Sequence, residues 1–240
     1  MKDGTKTVIA IIVAFALLAL GIFGLYKNLN KGFTSLMDFI TSEAELKVHT
    51  EIDTRNIDSI SINLISTDIE FKTTTDNTVK FDYYSNDDQV AFIDATNENI
   101  TIEEDEFFDH CTGFCNLNRK LVISLPDNFT KKIIIVTTSG DISSAALIKD
   151  LDILTVSGDI RLKGITGYAS ITTTSGDINI TSFHANYNSA IKTTSGDVSI
   201  DSCDNYVEAY TTSGDIEIGR NNTTTTILKI STTSGDIEVN

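Results

Sequence analysis

The tripeptide Ser-Gly-Asp recurs through the second half of the chain, and this repeat limits the possible folds more than any other feature of the sequence. Its six copies are Ser139–Asp141, Ser157–Asp159, Ser175–Asp177, Ser195–Asp197, Ser213–Asp215 and Ser234–Asp236. Successive glycines are 18, 18, 20, 18 and 21 residues apart. A repeat of this length buries its apolar side chains by stacking on neighbouring repeats. The sequence therefore predicts a solenoid of stacked repeats.

Apolar residues hold fixed positions around each copy. One follows every Asp, and others stand seven and nine positions before it in most copies. The three rows are Ile142, Ile160, Ile178, Val198, Ile216 and Ile237; Ile135, Ile153, Ile171, Ile191, Ala209 and Ile230; and Ile133, Leu151, Ala169, Ser189, Val207 and Leu228. Spacing by two is typical of a strand, but residues seven apart on one flat strand face opposite ways. We therefore expect two strands per repeat with a change of phase at Ser-Gly, where glycine tolerates positive φ.

Variation in repeat length is confined to the connectors between these constant segments. The connectors are Ala145–Asp150, Lys163–Tyr168, Thr181–Asn188, Asp201–Tyr206 and Gly219–Ile227, with 6, 6, 8, 6 and 9 residues. A solenoid places such insertions on one side of the stack. The last repeat has no evident cap, so we expect a dimer contact or a covering segment at that edge.

A degenerate seventh coil precedes the array. Ile60, Ile62, Ile69 and Phe71 keep the same spacing, with Ser66–Asp68 in place of Ser-Gly-Asp. Residues 72–130 are predicted to form a flanking sheet or cap. Its strand candidates are Val79–Tyr84, Val90–Asp94, Ile100–Glu103 and Leu121–Leu125, with a hairpin turn at Thr96–Asn99.

The first residues predict a membrane anchor. Residues 8–25 are uncharged, and as a helix they span roughly 27 Å, close to a bilayer core of about 30 Å. A cleaved signal peptide is the alternative, although no A-x-A-like site follows. Lysines flank the run almost evenly, and we expect the C-terminal domain outside the cytoplasm. The predicted divisions are a cytoplasmic end and transmembrane helix (1–26), a stalk (27–44), a degenerate coil with flanking β structure (45–132) and regular coils (133–240).

The chain is strongly acidic beyond the anchor. Its net charge is −16, and residues 1–40 hold four of the 18 basic and two of the 34 acidic residues, so the remainder carries −18. Such a domain repels phosphate backbones and anionic lipids, which argues against nucleic-acid binding. The composition fits an all-β protein, because Thr and Ile favour strands and Asp, Asn and Ser favour turns.

The stretch LVISLPDNFTKKIIIVTTSGDI (Leu121–Ile142), followed by repeated TTSGDI, resembles a bacterial family of unknown function named "putative adhesin". The resemblance covers roughly residues 45–240. It implies β-strand repeats and a membrane anchor, and some members are similar to Lia-type accessory proteins of the envelope stress response. It supplies no catalytic residues. The insertion Phe107–Asn118 departs from the family pattern.

The aspartates of the repeat are the strongest candidate for chemistry. They are Asp141, Asp159, Asp177, Asp197, Asp215 and Asp236. In-register stacking places these carboxylates about 4.8 Å apart, a spacing that could hold calcium. The favoured interpretation is a turn in which each side chain bonds to nearby backbone amides. The calcium signature G-G-x-G-x-D is absent.

Stacked threonines are a second candidate. They are Thr137-Thr138, Thr155, Thr173-Thr174, Thr193-Thr194, Thr211-Thr212 and Thr232-Thr233. Flat threonine rows could bind glycans or ice, but exposed strand threonines are common, and the structural interpretation is favoured.

The insertion contains the remaining candidates. Cys111 and Cys115 could form a disulfide, stay as thiols or, with His110, bind zinc, and we favour the disulfide. Cys203 is left over and is expected to be buried or unpaired.

For catalysis the sequence offers little. His49, His110 and His184 are far apart, and no nucleophile or phosphate-binding motif occurs. We predict no catalytic, cofactor or metal residues. The expected function is a membrane-anchored, non-enzymatic adhesion module or envelope scaffold, with an envelope protein or glycan as partner. The alternatives are an accessory protein in envelope-stress signalling and a polysaccharide-acting β-helix enzyme.

Overall fold

The computed structural model describes residues 43–87, 90–96, 98–104, 118–184, 189–204, 206–220 and 227–240. Strands dominate these residues, with one short 3-10 turn at Thr54–Asn56. The strands are β1 Glu45–Asp53, β2 Ser59–Leu64, β3 Asp68–Thr74, β4 Thr78–Ser85, β5 Ala91–Thr96, β6 Asn99–Glu104, β7 Arg119–Pro126, β8 Lys132–Thr137, β9 Ile142–Ile148, β10 Asp150–Thr155, β11 Ile160–Ile165, β12 Ala169–Thr172, β13 Ile178–Phe183, β14 Ala190–Lys192, β15 Val198–Cys203, β16 Tyr206–Tyr210, β17 Ile216–Arg220, β18 Ile227–Ser231 and β19 Ile237–Val239. The predicted all-β class is confirmed.

The strands form two sheets. Sheet A has the order β1-β4-β7-β3-β9-β11-β13-β15-β17-β19, and sheet B has the order β18-β16-β14-β12-β10-β8-β2-β6-β5. Each sequence repeat gives one strand to each sheet and crosses from sheet B to sheet A at Ser-Gly-Asp. Strands of successive repeats pair in parallel. This solenoid-like stack agrees with the predicted architecture.

The aliphatic rows stand in register across the stack and form one core. Ile153 pairs with Ile135 in sheet B, and Ile160 pairs with Ile142 in sheet A. All four are at most 3% exposed. Residues seven apart therefore face one interior, as the predicted change of phase requires. Burying an isoleucine stabilises the fold by roughly 2 kcal/mol. In the last coil Ile237 is 47% exposed, because it packs against one coil rather than two.

The change of phase occurs where backbones of neighbouring coils touch. All six repeat glycines have φ between +115° and +153°. A Cβ on Gly176 would lie 2.2 Å from the carbonyl oxygen of Gly158, and the other repeat glycines are similarly close to the coil before them. A side chain would therefore force the coils apart as well as strain the backbone. The corner stays hydrogen-bonded, since the N–H of Ser175 donates to the carbonyl of Val156 at 2.9 Å.

The degenerate seventh coil stacks directly on the regular array. Strand β2 pairs with β8, so that Ile60 stands beside Ile133, and β3 pairs with β9. This is the register predicted from the spacing. On the opposite side β6 and β7 pair with β2 and β3, which places Ile100 beside Ile60 and Leu121 beside Ile69. These two strands form an eighth coil that the sequence did not predict.

Antiparallel strands continue both sheets beyond the eighth coil. Strands β4 and β1 extend sheet A, and β5 extends sheet B. Strands β4 to β7 match the four strand candidates. The predicted hairpin joins β5 to β6, where Thr96 pairs with Asn99 and Glu98 has a φ of +67°. Strand β1 was not predicted.

The connectors are less external than their variable length indicates. Each of the first four carries a buried residue at a matching position on the extension of its sheet A strand. These residues, in register, are Ile148, Ile165, Phe183 and Cys203. Thus Thr181–Asn188 as a whole is not an external loop, and its variable part begins after Phe183.

Several predictions fall outside the described residues. They include the apolar run at 8–25, most of the stalk at 27–44, and the insertion as far as residue 117. No helix among the described residues is long and apolar enough to cross a membrane. The predicted membrane helix, domain limits and pairing at the last coil stay predictions.

Candidate interaction surfaces

The repeat aspartates line one corner of the stack and form what we call the corner row. Five of them, and Asp68 of the degenerate coil, accept through Oδ1 the backbone N–H of the aspartate in the next coil, at 2.7 to 3.1 Å. The acceptors are Asp68, Asp141, Asp159, Asp177, Asp197 and Asp215. The favoured interpretation, that the aspartate side chains bond to nearby backbone amides, is confirmed. The partner amide belongs to the neighbouring coil rather than to the same turn.

Among the described residues of the regular coils, one basic side chain, Arg161, contacts the corner row. Arg161 lies 2.6 Å from Oδ2 of Asp159 and 3.6 Å from Oδ2 of Asp141. These groups are exposed, so the pairs contribute at most about 1 kcal/mol. Within the described residues, no group of three or more His, Cys, Asp or Glu side chains is placed to hold a metal ion. Cation binding by the row remains untested.

The threonine rows differ from the expectation. The first threonine of the first five regular corners points inward rather than to solvent. Thr137, Thr155, Thr173, Thr193 and Thr211 are buried. Thr155 donates its hydroxyl to the carbonyl of Ser157 at 3.0 Å, and Thr173 donates to Ser175 at 3.2 Å. In four of the five, all but Thr193, the hydroxyl bonds to a corner carbonyl, while second threonines such as Thr174 remain exposed.

A buried carboxylate lies at the end of β6, in the eighth coil. Glu104 is 8% exposed at the end of β6, where the insertion begins. Its Oε2 accepts the N–H of Ile65 at 2.8 Å, and its Oε1 accepts the hydroxyls of Tyr83 (3.0 Å) and Thr67. Burial and the neighbouring Glu104 raise the pKa of Tyr83. Glu104 thus satisfies the backbone amide of Ile65 in the neighbouring coil.

An open groove lies on the outer face of sheet A at this end of the stack. Its volume is about 500 Å³, and we call it the cap groove. Its lining residues are Ala44, Lys72, Asp82, Tyr84, Asn118, Lys120, Val122 and Ser124. The register places Val122 beside Asp82, Lys120 beside Tyr84 and Ser124 beside Lys72. An apolar floor residue is thus bordered by polar side chains from three strands.

Ion pairs fix both walls of the cap groove. Glu70 lies 2.6 Å from Lys120 and 3.5 Å from Lys72. The hydrogen bond from Lys120 lowers the pKa of Glu70. On the other wall His49 is 2.5 Å from Asp82, a hydrogen bond that raises the pKa of the imidazole above its ordinary value of 6.5.

A second polar cluster lies on the outer face of sheet B. Glu208 bonds to the hydroxyls of Tyr206 and Tyr210 and to Lys229. Lys229 lies over the ring of Tyr206 at 5.5 Å, and Lys192 lies over that of Tyr210 at 5.8 Å. The polar groups of this cluster therefore bond to one another, and the two lysines cover the faces of the tyrosine rings.

The cysteine and histidine candidates do not converge in the described part of the chain. His49 lies in β1. His184, in the third connector, bonds to Asp204 in the fourth connector at 2.5 Å. Cys203 is buried in the core, as expected. Cys111, Cys115 and His110 lie outside the described residues.

A family model described as Toastrack DUF4097 matches residues 57–240. The chain belongs to the Toastrack family. The matched residues include all six corner glycines and both coils that precede the regular array. The predicted resemblance to a family of unknown function with adhesin-like members is confirmed.

Two solved structures are similar to this chain. A "putative adhesin" from Bacteroides fragilis matches with a TM-score of 0.51 and 16% identity, over 83% of this chain and 99% of that one. A "putative cell adhesion protein" from Clostridium sporogenes matches with a TM-score of 0.40 and 10% identity, over 82% and 99% of the two chains. The first match shows the fold alone. No curated protein sequence matches significantly.

Glu104 and the cap groove were missed by sequence analysis. The sequence does contain a signal for Glu104. The alternation that buries Ile100 and Ile102 predicts that Glu104 also points inward, and a buried carboxylate needs hydrogen-bond partners. The sequence contains no comparable signal for the cap groove, because Lys72, Tyr84 and Lys120 come from strands that are adjacent only in the folded sheet.

Replacing Asp177 tests the corner row. Asp177→Ala removes the acceptor for the N–H of Asp197 and should lower the free energy of unfolding by about 1 kcal/mol. Asp177→Asn keeps a carbonyl oxygen at Oδ1 and removes one of a row of like charges. It should change the free energy by less than about 0.5 kcal/mol or raise it. Denaturant unfolding of the full chain measures both, and equal destabilisation by the two variants would contradict the assigned role.

Proposed function

We propose that this Toastrack protein is a non-enzymatic interaction module of the cell envelope, tethered by the apolar segment at 8–25. The observation that carries the proposal is the structural use of the corner row. Five of the six repeat aspartates, the most regular polar groups of the chain, spend one carboxylate oxygen on a neighbouring coil. The repeat thus forms a rigid support, and the side chains that differ from coil to coil lie on its outer surfaces.

The variable parts of two connectors support the same function. Residues 184–188 and 220–226 account for the extra length of the third and fifth connectors, and they follow strands fixed by buried Phe183 and Ile218. Insertions on one side of a stiff stack can change without disturbing the core. The acidic surface favours partners that are neutral or cationic.

Shortening these connectors should weaken binding without weakening the fold. A variant with both reduced to six residues is placed in fluorescent lipid nanodiscs and mixed with cell-wall fragments of the producing organism. We expect at least a tenfold lower bound fraction than for the unchanged chain, with a melting temperature within about 3 °C.

Empty nanodiscs give the background, and Ser175→Ala at an exposed corner gives a matched control with unchanged binding. If the bound fraction falls only in parallel with the melting temperature, the connectors serve the fold. If the unchanged chain binds no more than empty nanodiscs, the interaction function is wrong.

The tether and orientation can be checked in intact cells. A C-terminal epitope tag on the full chain should be removed by protease added from outside. Deletion of residues 8–25 should leave the tag protected, because the chain then stays in the cytoplasm. Protection of the tag in the full chain would contradict the proposed orientation.

A further inference from the structure

The cap groove combines features that single it out among the described surfaces. Its volume of about 500 Å³ lies within the roughly 300–1,000 Å³ typical of small-molecule sites. Val122, at its floor, is 8% exposed although it belongs to the outer face of the sheet. Tyr84 stands at one border, and its hydroxyl has no partner among the described residues. The groove therefore offers an apolar strip surrounded by hydrogen-bonding groups.

Donors and acceptors converge on this strip. Lys72 and Lys120 donate from one side, and the amide of Asn118 and the hydroxyl of Ser124 lie at the ends. Asp82 is an acceptor on the opposite side, where His49 occupies Oδ1 and the described residues leave Oδ2 open. A ligand with several hydroxyl or amide groups can satisfy both sides at once.

The charge of the groove selects the class of ligand. Lys72 and Lys120 are paired with Glu70, and Asp82 is paired with His49, so each of these charged side chains has an opposite charge beside it. The whole chain carries −16, which repels anions at long range. The two ammonium groups oppose a cation inside the groove. A neutral ligand meets neither penalty.

We propose that the cap groove binds a neutral saccharide unit of an envelope or surface glycan. The ring of Tyr84 and the side chain of Val122 pack against the C–H face of the sugar. Asp82 accepts from its hydroxyls, and Lys120, Asn118 and Ser124 donate to its oxygens. The proposal rests on the interaction function above and gives it a ligand class and a site.

Ion pairs prepare the groove for this role. Glu70 holds both lysines on one wall, and His49 holds Asp82 on the other. These side chains come from β1, β3, β4 and β7. A sugar then binds without ordering flexible side chains, which lowers the entropic cost of association.

Titration with charge-matched oligosaccharides tests the proposal. The full chain in lipid nanodiscs is titrated with β-1,4-linked tetramers of glucose and N-acetylglucosamine, which are neutral, and with tetramers of glucosamine and galacturonate, which are charged. We expect at least one neutral tetramer to bind, and to bind at least fivefold more tightly than either charged one. Tighter binding of a charged tetramer, or no binding of either neutral one, would overturn the assignment.

Variants locate the site. Tyr84→Ala and Asp82→Asn should each lower the affinity at least fivefold, whereas Tyr84→Phe should keep most of it. Tyr210→Ala, on the outer face of sheet B, removes a half-buried tyrosine outside the groove and should change the affinity by less than twofold. Equal losses from Tyr84→Ala and Tyr210→Ala would place binding elsewhere.

The same variants separate this proposal from the interaction function. If wall fragments retain the unchanged chain and the Tyr84→Ala chain equally, while no neutral tetramer binds, the groove assignment is wrong and the interaction function stands. If wall fragments retain neither chain but a neutral tetramer binds in the groove, the site stands and the envelope function fails.

Discussion

At each corner of the solenoid, the backbone of one coil lies directly against the backbone of the coil before it. A Cβ on Gly158 would be 2.2 Å from the carbonyl oxygen of Gly140. This contact fixes the register of both sheets, because it leaves no room for one coil to slide or tilt on the next. It also brings Asp141 within 2.9 Å of the N–H of Asp159. Glycine and aspartate thus act together, one permitting the approach and the other satisfying an amide that the turn exposes.

The close stack explains how so acidic a chain stays folded. Carboxylates in neighbouring coils repel, but each corner amide attracts the charge beside it, and the isoleucine rows bury apolar surface in every coil. In the eighth coil, the buried carboxylate of Glu104 accepts the N–H of Ile65 in the neighbouring coil in a similar way.

Much of the fold follows from spacing alone. The seven-residue offset between Ile135 and Ile142 predicts two strands around one core, and the same spacing places Ile60 beside Ile133. The eighth coil was missed because residues 105–117 separate β6 from β7, and spacing cannot bridge such an insertion. The inward turn of Thr137 was missed because corner carbonyls that need a donor are not visible in a sequence. The cap groove depends on which strands become neighbours across the crossover, and periodicity does not encode this order.

The central claim is that the β2 coil stacks on the β8 coil, about 70 residues later in the chain. A disulfide between Asn63→Cys and Val136→Cys tests it, because these exposed positions are paired on adjacent strands. Parallel neighbours lie about 4.8 Å apart, within disulfide range. In a chain with its native cysteines replaced, mild oxidation should crosslink this pair nearly completely and leave Glu103→Cys with Val136→Cys, two coils apart, unlinked. Efficient crosslinking of the second pair without the first would contradict the stacking order.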